Sequence, residues 1–365
     1  EIIQAYRNNE TNYPAANGIL ALRKAVANYI KNVQGLSYLP EEYLIAGGAR
    51  PLIFAAYQAM VDNGDKVVFP VPSWNNNHYC HLSHAEPVMV ETKAENNFMP
   101  TAEELKPHIS DASMLALCSP LNPTGTVFSE QALREICALV LEENLKRSPE
   151  QKPLYILYDQ IYWMLTYGDT KHFDPVSLMP ELRPYVIYID GISKAFAATG
   201  VRVGWAFGPE DIISKMRSIL GHVGAWSPKA EQVATANYLE KQEQVDIDLV
   251  NLKERLHKRL KLLHDGFCDL KREGFPIDSI DPAGAIYLTV KFDLVGKKDK
   301  AGNTIKSAQE TTRFLLDDAG IAIVPFYAFG ASRNSPWYRL SVGTVASEEI
   351  PLIIETIKTS LSKLV

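Results

Sequence analysis

Val186-Ile187-Tyr188-Ile189-Asp190 runs directly into Gly191-Ile192-Ser193-Lys194-Ala195-Phe196-Ala197-Ala198-Thr199-Gly200-Val201-Arg202-Val203-Gly204. The first segment is β-branched and aromatic up to its aspartate, the composition of a buried strand. Lys194 then follows a strand's carboxyl end, where open α/β sheets place their ligands. Lysine suits imine chemistry, because its amine loses its proton near neutral pH when it is desolvated or set beside a cation. Arg202, eight residues beyond Lys194, can return to the same place as a phosphate anchor. A Ser-Lys pair alone would read as surface; the full spacing does not.

On either side of this stretch, short apolar runs alternate with helical patterns from about residue 45 to 210. The strand candidates are 66–69, 87–90, 115–118, 155–158, 186–189 and 203–207. Between them lie amphipathic segments such as 130–144, with Leu133, Ile136, Cys137, Val140 and Leu141 on one face. Such alternation predicts an α/β fold with a mostly parallel sheet flanked by helices. After about residue 230 the pattern changes. One long helical stretch ends at Gly274, a C-cap residue. Strand-like AIYLTVKF, a helix in SAQETTRFLLDDAG, the strand candidates IAIVP and YRLSV, and a terminal helix follow. This is a smaller α+β domain, and the expected division is 1–250 and 251–365. The segment 295–304 (VGKKDKAGNT) reads as a solvated hairpin tip.

With 365 residues the chain is long enough for two packed domains. Its net charge of −6 argues against a nucleic-acid surface, and no apolar run reaches the roughly 18–20 residues of a membrane span. Cys80, Cys118, Cys137 and Cys268 show no CxxC pairing and read as thiols of a reducing compartment. The start, EIIQAYRNNE, has neither an initiator Met nor the features of a signal peptide. The natural N-terminus is therefore expected to have been trimmed or to lie outside this chain, and a cytoplasmic enzyme is expected.

Other motifs stand in order along the chain: Gly47-Gly48-Ala49-Arg50-Pro51, Pro72-Ser73-Trp74, Asn122-Pro123-Thr124-Gly125, Asp159-Gln160-Ile161-Tyr162 and Tyr338-Arg339-Leu340-Ser341. Taken singly, most have ordinary readings: a glycine turn, a core tryptophan, an Asn-Pro turn, a helix-capping aspartate, a surface arginine. Together with the lysine stretch, and from Tyr13 to the terminal helix, the chain resembles the class I/II aminotransferases, the fold-type I enzymes that use pyridoxal 5′-phosphate (PLP). The resemblance implies a PLP-transferase (aspartate aminotransferase-like) fold and a homodimer with shared active sites.

It also implies roles. Lys194 would carry the cofactor as a Schiff base and move the substrate proton. Asp159 would pair with the pyridine nitrogen in a charge-assisted bond. Asn122 and Tyr162 would face the phenolic oxygen, and Trp74 would stack on the ring. Gly48, Ala49, Arg50, Ser193 and Arg202 would surround the phosphate, at a helix N-terminus that favours anions. Tyr13 resembles the tyrosine reaching the neighbouring subunit's phosphate. Arg339, with Asn122, would bind the substrate's α-carboxylate through the planar guanidinium fork. The implied reaction moves an amino group from an L-amino acid to a 2-oxo acid. A β-eliminating or ring-forming lyase is the alternative, since the same machinery has several exits. A cofactor-sensing module of a transcription regulator would need a DNA-binding domain, for which no length remains.

Three features depart from the pattern. The position three before the lysine, often a phosphate-binding serine, is Gly191. The family's N-terminal arm is largely missing before Tyr13. No second arginine for a side-chain carboxylate can be matched; Arg50 and Arg333 are candidates by proximity. His78, His81 and His84, with Cys80 among them, hint at metal, but the third position of such a triplet rotates off a helical face. They read as a histidine-rich helix, with His78 or Asn77 available to support Asp159, and no metal is expected.

Overall fold

The computed structural model describes residues 1–299 and 302–365. Eleven strands form two sheets among these residues. Seven belong to the larger one: β1 (Tyr43–Ala46), β2 (Lys66–Val71), β3 (Glu86–Glu91), β4 (Ala112–Cys118), β5 (Tyr155–Asp159), β6 (Val186–Gly191) and β7 (Gly204–Phe207). Their order is β1-β7-β6-β5-β4-β2-β3. The β2–β6 pairings are parallel, and β7 lies antiparallel between β6 and β1. Strands such as β4 and β6 are buried almost throughout, as expected of a sheet covered on both faces.

The smaller sheet, ordered β10-β11-β9-β8, is wholly antiparallel: β8 (Ile277–Ser279), β9 (Tyr287–Phe292), β10 (Val324–Pro325) and β11 (Trp337–Ser341). Both sheet types match the sequence expectation, and differences appear in detail. The long helix is two helices, Lys229–Leu239 and Gln242–Arg272, separated at Lys241, whose φ of −93° and ψ of 63° leave the helical region. No Gly or Pro marks this break. Gly274 does follow the second helix with φ of 95°. IAIVP contributes only Val324–Pro325 to pairing, opposite Arg339 and Tyr338. β1 and β8 were not anticipated at all.

The helix Gln242–Arg272 serves both sheets. Val245 and Leu249 pack in the core of the larger one, and Leu256, Leu260, Leu263, Phe267 and Leu270 in that of the smaller. The flanks of 295–304 meet in an antiparallel bridge between Lys298 and Thr304, with residues 300 and 301 of that hairpin outside the described residues. No helix among the described residues is long and apolar enough to cross a membrane.

Candidate active site

The topology brings the motifs to one edge of the larger sheet. β2, β4, β5, β6 and β1 all end there, and β7, running the other way, begins there. Register makes this concrete: Ala46 and Gly191 both lie opposite Gly204, and Cys118 lies opposite Asp159. Glycine is required at this junction because the backbones nearly touch. A Cβ on Gly204 would stand 2.6 Å from the Gly48 carbonyl carbon, and one on Gly191 would stand 2.7 Å from Gly204 Cα. This accounts for the departure at Gly191: a serine there would push β7 off β6.

A cavity of about 400 Å³ opens above this edge. It is lined by Ala49, Arg50, Trp74, Asn122, Asp159, Tyr162, Ser193, Lys194, Arg202 and Arg339, all foreseen, and by Ile53, Ile161, Thr199 and Tyr287, which were not. Gly48, also foreseen, does not line the cavity itself but lies against Arg202, which does. The Gly48 φ of 95° is a backbone conformation that side chains resist, and a Cβ would lie 2.2 Å from Arg202 Nη2. The Arg202 guanidinium donates from Nη2 to the Gly47 carbonyl (2.6 Å) and from Nη1 to the Thr199 carbonyl (2.8 Å). Ala49 and Arg50 open the helix Ala49–Met60, whose first amides have no partner within the helix.

Arg339 arrives from β11 of the smaller sheet. Its guanidinium lies between two aromatic faces, 4.7 Å from the Tyr287 ring and 4.9 Å from the Phe329 ring. Nη1 donates to Asn122 Oδ1 (3.0 Å), and Nε is buried with no hydrogen-bond partner. A buried donor of this kind carries a desolvation cost that an incoming acceptor removes. The Asn122 loop is fastened to the smaller sheet: Thr289 Oγ1 donates to the Thr124 carbonyl (2.8 Å) and Gly284 N to the Gly125 carbonyl (2.8 Å). Asn122 and Arg339 therefore meet although 217 residues separate them.

Lys194 is half-buried at the centre. Burial, then Arg339 and Arg50, lower its affinity for a proton, and Asp159 partly offsets them. Burial also pushes the Asp159 carboxyl up to about 6, against a bond from the Ile161 amide (3.1 Å) and the charge of Lys194. Next to it Asp190, fully buried and not foreseen, accepts from Trp163 Nε1 (2.8 Å) and the Gly191 amide (2.7 Å), and burial pushes it to about 8. It holds the base of the lysine turn.

Several of the sequence candidates lie outside this cavity, and of these only Arg333 and His78 run against expectation. Tyr13 is not in the cavity of its own chain; it is 84% exposed, edge-on to Trp226 at 5.2 Å. Arg333 is exposed and does not line the cavity, which leaves Arg50. His78 is exposed on the helix Asn76–Ser83 and gives Asp159 no hydrogen bond. His81 and His84 are likewise exposed while Cys80 is buried, so the four do not converge, and among the described residues no three His, Cys, Asp or Glu group to hold a metal. Tyr287 was missed because its signal is tertiary. It becomes Arg339's diagonal neighbour only once β9 pairs with β11, with Arg339 opposite Thr289.

Comparison with known proteins agrees with this geometry. The family model described as aminotransferase class I and II matches residues 2–357. An aspartate aminotransferase of Geobacillus stearothermophilus is 31% identical over 345 residues, 94% of this chain and 82% of that one. One from Bacillus subtilis is 29% identical over 99% of this chain and 86% of its own length. The crystal structure of the Rhizobium meliloti aspartate aminotransferase superposes with a TM-score of 0.90 at 28% identity, covering 100% of this chain and 87% of that one. An aromatic aminotransferase from Pyrococcus horikoshii gives 0.88 at 26% identity, covering 99% and 90%. With the lysine turn, the cationic cavity and the full-length match all in place, the chain belongs to the class I and II aminotransferases, an enzyme family that uses PLP.

Proposed function

We propose that the cavity takes PLP on Lys194 and transfers the amino group of an acidic L-amino acid to a 2-oxo acid. One observation carries this reading: four cations, Arg50, Lys194, Arg202 and Arg339, surround a cavity with a single carboxylate, Asp159. Such a lining fits a ligand pair with several negative charges and one cationic nitrogen. The phosphate would lie against Ser193, Arg202 and the first amides of Ala49–Met60. The pyridine nitrogen would face Asp159, the ring Trp74, and the phenolic oxygen Asn122 and Tyr162. The Gly48 cradle and the partnerless Arg339 Nε both fit this occupancy.

When bound, PLP supplies the electron sink that lets an amino acid's Cα–H bond break. The chain supplies the rest. Arg339 grips the α-carboxylate with its free donors and, held between two rings, fixes the plane of the substrate. Lys194 Nζ, whose proton affinity is lowered by burial and neighbouring cations, takes the Cα proton and returns it one position away. Asp159 keeps the facing nitrogen protonated. Arg50, with its guanidinium 5.3 Å from the Trp74 ring centroid, is left to read a side-chain carboxylate. The aspartate aminotransferase relatives support that choice.

The exposed Tyr13 supports a homodimer in which it completes the partner's phosphate site, and sedimentation at twice the chain mass would bear this out. The split allegiance of Gln242–Arg272 supports a domain division near residue 250, and four unpaired cysteines support a cytoplasmic setting. The decisive experiment mixes PLP-loaded protein with single amino acids and no acceptor. Transamination gives one equivalent of 2-oxo acid per site, from acidic donors first, and then stops. Continued release of ammonia would identify a lyase and overturn the reading.

A further inference from the structure

The Tyr287 ring helps to hold Arg339, but its hydroxyl has no role in the proposed reaction, and through the two Tyr287 touches both ends of the chemistry. Its hydroxyl lies 2.6 Å from that of Tyr162, and its ring carries the Arg339 guanidinium at 4.7 Å. Both tyrosines are almost fully buried, at 2% and 6% exposure, so the bond between them is shielded from competing water. The pair is also locked in place. Ala285 N donates to the Leu165 carbonyl (2.8 Å) and Tyr167 N to the Ala283 carbonyl (3.1 Å), which clamps the segment carrying Tyr162 onto the segment leading into β9. A Cβ on Gly125 would stand 2.4 Å from the Tyr287 carbonyl oxygen, so the Asn122 turn presses on the same residue.

We infer that Tyr287 is a positioning residue that orients and polarises the Tyr162 hydroxyl toward the cofactor's phenolic oxygen. The inference rests on PLP occupying the cavity as proposed. The closer cation decides the direction of the bond: Arg339 lies 4.7 Å from the Tyr287 ring, and Lys194 Nζ 5.7 Å from that of Tyr162. A cation over a phenol ring makes its O–H the stronger donor, so Tyr287 donates to Tyr162 and leaves the Tyr162 proton free to point into the cavity. A hydroxyl that accepts one hydrogen bond donates the next more strongly. Tyr162 then draws more negative charge from the phenolic oxygen, and that oxygen in turn holds the proton at the Lys194 nitrogen less tightly. The same ring supports Arg339, so the carboxylate anchor and the oxygen donor share one support.

The test is a pH titration of the visible absorption of PLP-loaded protein, with no substrate present, in four forms: the unsubstituted protein, Tyr287→Phe, Tyr162→Phe and the double variant. Tyr287→Phe keeps the ring and its packing and removes only the hydroxyl. Its midpoint should rise by roughly half a unit to one unit, the effect of losing one hydrogen bond. In the Tyr162→Phe background the same substitution should move the midpoint by less than about a quarter of that, because its route is gone. No rise in the single variant, or an equal rise in both backgrounds, overturns the role of Tyr287. Failure of Lys194 to be labelled by borohydride in PLP-loaded protein would instead remove the proposed function beneath it, so the two failures are told apart.

Discussion

Arg202 and Arg339 enter the same cavity from opposite sheets and are held in opposite ways. Arg202 has both terminal nitrogens bonded to main-chain carbonyls of the larger sheet's edge and rests on Gly48. Arg339 is held by aromatic faces and one amide oxygen, with its Nε unpaired. Backbone carbonyls fix a guanidinium's position and use its donors. Ring faces fix its plane and leave the donors open. The first arrangement suits a resident group that stays, the second a substrate that must arrive and leave at every turnover.

Lys194 stands between the two ends, and removing it gives the largest effect. Lys194→Ala should lower turnover by at least about 10⁴-fold, since general-base and covalent contributions vanish together. It should also abolish borohydride trapping of PLP. Reductive labelling that persists at another lysine in that variant would break the assignment.

Arg339→Lys tests the open-donor end. The charge remains, but the planar fork is lost. A loss in kcat/KM of about 10- to 100-fold with every amino acid is expected, with the cofactor spectrum before substrate unchanged. An unaltered kcat/KM across a donor panel would remove the carboxylate role.

Gly48→Ala tests the backbone-held end, where the new methyl must displace Arg202 from a strained φ. PLP affinity should fall about tenfold or more, by equilibrium titration, while the KM for amino acids in excess cofactor changes little. If KM moves and affinity does not, the contrast between the two arginines is wrong.

Arg50→Ala sharpens the substrate end. Activity with acidic donors should drop about tenfold relative to neutral ones, and an equal change with both classes would leave Arg50 without a specificity role.

The smallest effect concerns Asp159 and is one of stability. In protein without cofactor its carboxyl is pushed up to about 6 from an ordinary 3.8. A raised carboxyl pKa stabilises the fold fully below about pH 4, and the contribution is lost as pH rises through about 6. Asp159→Asn should therefore be the more stable protein above pH 7, by on the order of 1–2 kcal/mol, and the gap should close toward pH 4. Denaturant melts at several pH values read this directly. PLP bound as proposed would reverse the sign, because a pyridinium facing Asp159 would favour the carboxylate.

The sequence carried what is local. Alternating apolar runs reported strands, and the spacing from Gly191 to Gly204 reported a turn that returns Arg202 to Lys194, because a few residues of known φ and ψ leave little freedom. Motif identity then placed ten of the cavity's fourteen lining residues. Whatever depended on distant segments meeting was decided by the tertiary structure. Lys241 breaks a helix with no glycine or proline to announce it. Arg333 falls outside the cavity, Gly191 replaces a serine because β7 crowds it, and Tyr287 reaches Arg339 only through strand register. Hydrophobic period and turn chemistry are written over a handful of neighbours, whereas register and close approach are settled by every contact between two surfaces, and no short stretch of sequence holds that sum.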